Sequence, residues 1–158
     1  IARRIVEQFH ADSFSVIENN PRRLAQIKGI SPKMADKIHE QYMGLQTIRG
    51  VILSLQNMGL SIKEAMAAYE VYGQSASYLI EKNPYQLIED VPGIGFMKAD
   101  RIAAEIGMEG YASLRLESGL VHILKLKMEA GHTCFPLDAA VKAAAEFLQA
   151  EQRNIKFL

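Results

Sequence analysis

The stretch Val16-Ile17-Glu18-Asn19-Asn20-Pro21 returns 63 residues later as Leu79-Ile80-Glu81-Lys82-Asn83-Pro84. Leu24 then pairs with Leu87. Further on, Gly29-Ile30-Ser31 pairs with Gly93-Ile94-Gly95 and Ala35-Asp36-Lys37-Ile38 with Ala99-Asp100-Arg101-Ile102, the offset rising to 64. One period sustained over such a length means one supersecondary unit built twice, which narrows the possible folds more than any single motif. In each copy a short helical pattern runs into a glycine turn and a second helical pattern runs out. That layout is a helix-hairpin-helix, and its recurrence predicts an all-α tandem.

The turn has a definite chemistry. In the second copy it reads Val91-Pro92-Gly93-Ile94-Gly95. Glycine reaches φ > 0 and lets another backbone approach closely, and Ile94 between the two is expected to point inward and pin the turn. The N–H groups that open the next helix lack intrahelical acceptors and lie at the positive end of its dipole, a ready anion site. Lys98 falls in that first turn. In the first copy Ser31 replaces the second glycine, and Ser31-Pro32 is itself a helix start, serine as N-cap and proline at the first helical position. Lys28 and Lys33 flank it. The candidate phosphate-binding residues are therefore Lys28, Gly29, Ser31 and Lys33 in one copy and Gly93, Gly95 and Lys98 in the other. An ordinary helix–helix connection also uses glycines as cap and turn; repetition of the pattern favours nucleic acid.

Charge separates the copies. Residues 21–50 carry Arg22, Arg23, Lys28, Lys33, Lys37 and Arg49 against Asp36 and Glu40. Residues 81–109 carry Lys82, Lys98 and Arg101 against Glu81, Glu89, Asp90, Glu105 and Glu109. The first copy is thus expected to grip phosphate more strongly, although its turn departs further from the glycine pattern. The chain as a whole carries 18 Lys and Arg and 18 Asp and Glu, a net charge of zero. That balance speaks against a generic nucleic-acid binder and for the rival reading, a scaffold that docks a protein partner.

Around the hairpins the reading is helical. Ala2 to Phe9 resembles Ala35 to Tyr42, so residues 1–10 are taken as the remnant of an upstream hairpin and residues 11–109 as the tandem. Leu45 to Met58 reads as a helix with Leu45, Ile48, Ile52 and Leu55 on one face, ended by Gly59. Ser61 and Glu64 form a capping box, opening a helix to Tyr72 that Gly73 closes. Residues 110–158 differ in composition: helices over Leu114–Ala130 and Leu137–Gln149 flank a breaker at Gly131–Pro136. Asn154–Leu158 reads as a short strand, which makes this a small helical or winged-helix-like unit. Tyr69, Tyr72, Tyr78 and Tyr85 sit at helical spacing and are expected in the core. Asp36 and Asp100, at equivalent places, are read as structural acids near a helix start.

Several classes fall away. Cys134 stands alone, which excludes an intrachain disulfide framework and fits a reducing compartment. His132 and Cys134 do not have metal-ligand spacing, and no metal site is expected. There is no G-x-x-x-x-G-K-[S/T] loop, H-E-x-x-H or G-x-S-x-G, so no catalytic residues are assigned. No apolar run approaches membrane-spanning length. The chain opens on Ile1 inside a helical pattern, and a fragment of something longer is expected.

Residues 83–103, from Asn83-Pro84-Tyr85 through Val91-Pro92-Gly93-Ile94-Gly95 to Asp100-Arg101-Ile102-Ala103, resemble the N-terminal region of bacterial RecD-like (RecD/TraA-type) DNA helicases. The stretch from Gly131 to Leu137 resembles the segment that follows in that family. The resemblance implies a DNA-binding accessory region of an ATP-dependent 5′-to-3′ DNA helicase of repair or recombination, in the cytoplasm. It implies no cofactor here, with ATP and Mg serving a motor elsewhere in the parent protein. The implied partners are single-stranded or forked DNA and the parent's own motor domains, with no membrane.

Overall fold

The computed structural model describes residues 1–108 and 112–156, and among them every regular element is a helix. The chain divides into two compact units, Ile1–Gly50 and Val51–Leu158.

The first unit contains α1 (Ala2–Phe9), a 3-10 turn at His10–Asp12, α2 (Ser13–Asn19), a 3-10 segment at Pro21–Gln26, and the opening turns of α3 (Pro32–Asn57). Its core is Ile5, Phe9, Val16, Ile17, Leu24, Ile27, Ile30 and Ala35, with Ile38 and Tyr42 packed against it. Ser13, buried among these, donates from Oγ to the His10 carbonyl at 2.7 Å, so its polar atom is satisfied.

The second unit repeats the plan. After the end of α3 come α4 (Ile62–Tyr72), a 3-10 turn at Gly73–Ser75 and α5 (Ala76–Lys82). A 3-10 turn at Pro84–Gln86, the single turn α6 (Leu87–Asp90) and α7 (Phe96–Glu105) follow. The repeat therefore reaches further upstream than the residue matches suggest, because α1 opens the first copy as α4 opens the second. His10 (φ 46°, ψ −121°) and Gly73 (φ 60°, ψ −141°) even share one unusual backbone conformation. The step in offset has a physical origin. Ile27 N–H donates to the Leu24 carbonyl, three residues back, whereas Val91 N–H donates to the Leu87 carbonyl, four residues back. A 3-10 turn in one copy and an α turn in the other absorb the extra residue.

Where two helices are expected between Lys33 and Met58, one runs unbroken for 26 residues. Gly44 costs an interior helix about 1 kcal/mol relative to alanine but does not end it. Gly59 does: at φ 91° its N–H donates to Gln56 and that of Leu60 to Leu55, a Schellman motif. Of the expected apolar face, Leu55 is fully buried and Ile52 half-buried, but Leu45 and Ile48 are exposed. Residues 43–50 are exposed on every side of the helix, so periodicity there has no core to answer to. The capping box is present, Ser61 N–H donating to Glu64 Oε2 at 2.7 Å.

The C-terminal helices α8 (Ser113–Glu129) and α9 (Leu137–Leu148) match expectation, and they do not form a core of their own. Leu116, Ile123, Val141, Ala144 and Leu148 join Leu87, Phe96 and Ile102 in one cluster. Leu126 of α8 is exposed. The strand expected at Asn154–Leu158 is not formed over its described part: Gln152–Lys156 is the short helix α10, with Ile155 buried, and residues 157–158 lie outside the described residues. No other strand exists among the described residues, so an extended segment would leave its backbone groups unpaired, and no wing is formed there.

Candidate nucleic-acid interface

Both hairpins turn in the same way. Ile30 N–H donates to the Ile27 carbonyl at 3.0 Å and Ile94 N–H to the Val91 carbonyl at 3.2 Å. The residue before each isoleucine is a glycine in the left-handed region, Gly29 at φ 93° and Gly93 at φ 90°. Negative φ at Lys28 or Pro92, followed by glycine at positive φ, is a type II β-turn. Ile94 is buried and anchors its turn as expected, and Ile30 does the same in the first copy, while Lys28, Gly29, Ser31, Lys33, Gly93 and Gly95 are all exposed.

Gly95 does not need to be glycine. Its φ is −99°, and a Cβ there would meet nothing within 4 Å. Ser31 is therefore no defect in the first copy, and it serves as the N-cap expected of it. Its Oγ accepts the Met34 N–H at 3.2 Å and its carbonyl accepts that of Ala35 at 2.9 Å, which caps α3. Pro32 has no N–H, so Lys33 carries the remaining free donor of that first turn. In the second copy Phe96 and Met97 both keep theirs, since the N–H of Lys98 returns to the Gly95 carbonyl. The N–H groups of Gly29, Ser31, Gly93 and Gly95 donate to no acceptor among the described residues.

The cations differ more than the turns. Lys98 aligns with Met34, not with Lys33, and its Nζ lies 3.2 Å from Glu64 Oε2. Burial pushes the Glu64 carboxyl up, but hydrogen bonds from Ser61 and Lys98 outweigh it and hold its pKa below the ordinary carboxylate value. Lys98 thus ties α7 to the capping box of α4. In the first copy sequence reasoning missed a different cation at the hairpin: Arg4 of α1 donates from Nη1 to the Lys28 carbonyl at 2.9 Å. Only the packing of α1 brings it there; 24 residues of separation give no local signal.

Asp100 is structural, through different partners from those expected. Its carboxylate accepts from Tyr85 Oη at 2.7 Å and from Arg115 at 2.8 and 3.1 Å, and Arg115 also donates to the Leu148 carbonyl at 3.0 Å. The network joins the second hairpin to α8 and α9. Burial, reinforced by Asp100 and opposed by Arg115, raises the Tyr85 phenol well above its ordinary value, so it stays a donor. Asp36 is exposed, so the two acids are not equivalent. Tyr85 belongs to the core, as expected, stacked on Phe96 at 5.8 Å. Tyr69 and Tyr72 are half-buried; burial and the carboxylate of Asp90, which accepts from the Tyr72 hydroxyl, raise the pKa of that phenol too. Tyr78, expected in the core, is 61% exposed with Lys82 over its ring.

The unit boundary resolves the neutral net charge. Residues 1–50 hold eight Lys and Arg against five Asp and Glu, a net charge of +3, and residues 51–158 hold ten against thirteen, −3. The sequence contains no G-x-x-x-x-G-K-[S/T] loop, and among the described residues no group of three or more His, Cys, Asp or Glu is placed to bind a metal. Cys134 is exposed and His132 lies beside Phe135. No described helix is long and apolar enough to cross a membrane.

Comparison with known proteins agrees with this geometry. The family model described as the ATP-dependent RecD2 DNA helicase HHH domain matches residues 44–134, and the SAM-like helix-hairpin-helix tandem model matches residues 1–42. The ATP-dependent RecD2 DNA helicase of Deinococcus radiodurans is 30% identical over 148 residues, covering 93% of this chain and 21% of that protein. The chain thus spans about a fifth of the length of this relative.

Proposed function

Because the chain belongs to the family of ATP-dependent RecD2 DNA helicase HHH domains, we propose that it grips the DNA backbone beside a helicase motor, mainly through its first hairpin. The observation that carries this reading is the first type II turn. It offers free N–H groups at Gly29 and Ser31 and the exposed cations Lys28 and Lys33, within a unit of net charge +3. Such groups see phosphate and not base edges, so binding is independent of sequence. The second hairpin, with Gly93 and Gly95, adds a weaker contact, because Lys98 is engaged with Glu64 and its unit is net acidic. Few contacts imply weak binding by the chain alone, roughly micromolar at physiological salt. Tethering to a motor on the same strand raises the effective affinity. In the longer protein the motor supplies ATP hydrolysis and 5′-to-3′ movement in repair or recombination of DNA in the cytoplasm.

Fluorescence anisotropy with a labelled single strand and a forked duplex, at several salt concentrations, tests the proposal. Binding should fall with salt, and Lys33→Glu should weaken it more than Lys98→Glu. Equal or reversed effects would mean that the second hairpin dominates. A second reading, a scaffold docking the motor, is favoured by one feature: Leu45 (66% exposed) and Ile48 leave an apolar strip on α3. Absence of salt-sensitive binding at tens of micromolar protein (about the upper end of non-specific affinities) would favour it.

A further inference from the structure

Arg4 lies outside either hairpin, yet its side chain ends on the first one. Nη1 donates to the Lys28 carbonyl at 2.9 Å, and a Cβ built on Gly29 would stand 3.2 Å from the same nitrogen. The helix that delivers it is fixed from below. Ile5 and Phe9 of α1 are buried in the core of the first unit, and Arg23 lies over the Phe9 ring at 5.2 Å. A guanidinium has five N–H donors in a planar fork, of which the turn carbonyl takes one. The residue is exposed, so the other donors and the full charge face solvent at the edge of the turn.

The second repeat lacks this device. The residue that falls 63 positions after Arg4 is Ala67, which has no charge to offer. There two side-chain contacts join the opening helix to the hairpin, Tyr72 to Asp90 and Lys98 to Glu64, and the second neutralises its own cation. The first repeat makes the tie through a carbonyl, and among the described residues no carboxylate pairs with the cation.

From this arrangement we infer that Arg4 is a DNA-phosphate ligand, forming with the first hairpin turn a two-part site on one strand. The inference rests on the proposed role of that hairpin. In a trans peptide the carbonyl and the N–H point in opposite directions, so the guanidinium on Lys28 O and the N–H of Gly29 flank the turn from two sides. Phosphates recur every 3.4 Å of axial rise along a strand. The turn N–H groups hold one phosphate, and Arg4 reaches its neighbour.

The test uses the 158-residue chain, titrated against a labelled single-stranded oligonucleotide across a salt series, as wild type, Arg4→Ala, Arg4→Lys and Lys33→Glu. Arg4→Ala should bind about tenfold more weakly, the scale of one charge-assisted hydrogen bond. Its slope of log affinity against log salt should be shallower by about 0.7, the increment for one phosphate contact on a single strand. Arg4→Lys should restore most of the slope, since the charge returns. An unchanged slope for Arg4→Ala overturns the inference, whether affinity is unchanged or falls together with the melting temperature as for a merely structural residue. The two layers fail differently. If the wild type binds with salt sensitivity and Lys33→Glu weakens it while the Arg4 variants do not differ, only the Arg4 site is wrong. If the wild type does not bind, the hairpin reading falls and the Arg4 site falls with it.

Discussion

Replacing His10 with glycine should stabilise this protein, and the second repeat supplies the reason. His10 sits at φ 46° and ψ −121°, outside the left-handed helical well, while Gly73 occupies the matching position at φ 60° and ψ −141°. A side-chain-bearing residue held in such a region costs about 1–3 kcal/mol. Glycine removes that strain but loses about 0.5–1 kcal/mol through the greater freedom of its unfolded chain. The backbone contacts survive the change, because the N–H donating to the Val6 carbonyl and the carbonyl accepting from Ser13 Oγ are main-chain groups. His10 is exposed, so little packing is lost. The expected net gain is about 1 kcal/mol, near the middle of the range of roughly 0–2.5 kcal/mol that these two figures span. Urea unfolding followed by far-UV circular dichroism reads it as a higher midpoint at unchanged slope, in the first unit's transition if the two units unfold separately. Gly73→Ala should shift the second unit the opposite way. A His10→Gly protein no more stable than wild type would refute the strain argument.

Two other substitutions test the second unit. Gly119→Ala places a Cβ 2.6 Å from both Leu148 methyl carbons, which are buried between α8 and α9; overpacking of about 1–3 kcal/mol, less about 1 kcal/mol of helix propensity, predicts a lower midpoint in urea. Glu64→Gln retains a capping side chain and loses the charge facing Lys98, which should cost about 0.5–1 kcal/mol at neutral pH. The folded pKa of Glu64 lies below its unfolded value of 4.5, so its ionic contribution is complete above that value and fades as pH falls through the folded pKa. Wild type and variant should therefore converge in acid unfolding experiments, and a gap that persists at low pH would exclude a charge effect.

Local chemistry alone sufficed for much of this protein. The duplication, the two turns, the inward Ile94, the capping box at Ser61 and the stop at Gly59 were legible in the residues, because each depends on φ preference, capping or periodicity within a few positions. Periodicity misled where burial does not follow it, at Leu45 and Ile48 on the exposed middle of α3 and at Tyr78. A short β-like pattern at Asn154–Leu158 could not reveal that no partner strand awaited it and that Ile155 would pack on helices instead. That the first copy is the more basic could be read from the residues, but which of its cations stay available could not. Which cation stays available depends on which side chains meet: Lys98 is quenched by Glu64, Arg4 reaches a carbonyl 24 residues away, and Asp100 finds Arg115 rather than a neighbouring lysine. A net charge of zero hides units of +3 and −3 until packing draws the boundary between them. Sequence determines local conformation through short-range sterics and hydrogen bonding; the electrostatic character of the site arises from contacts between distant residues, which only the folded chain creates.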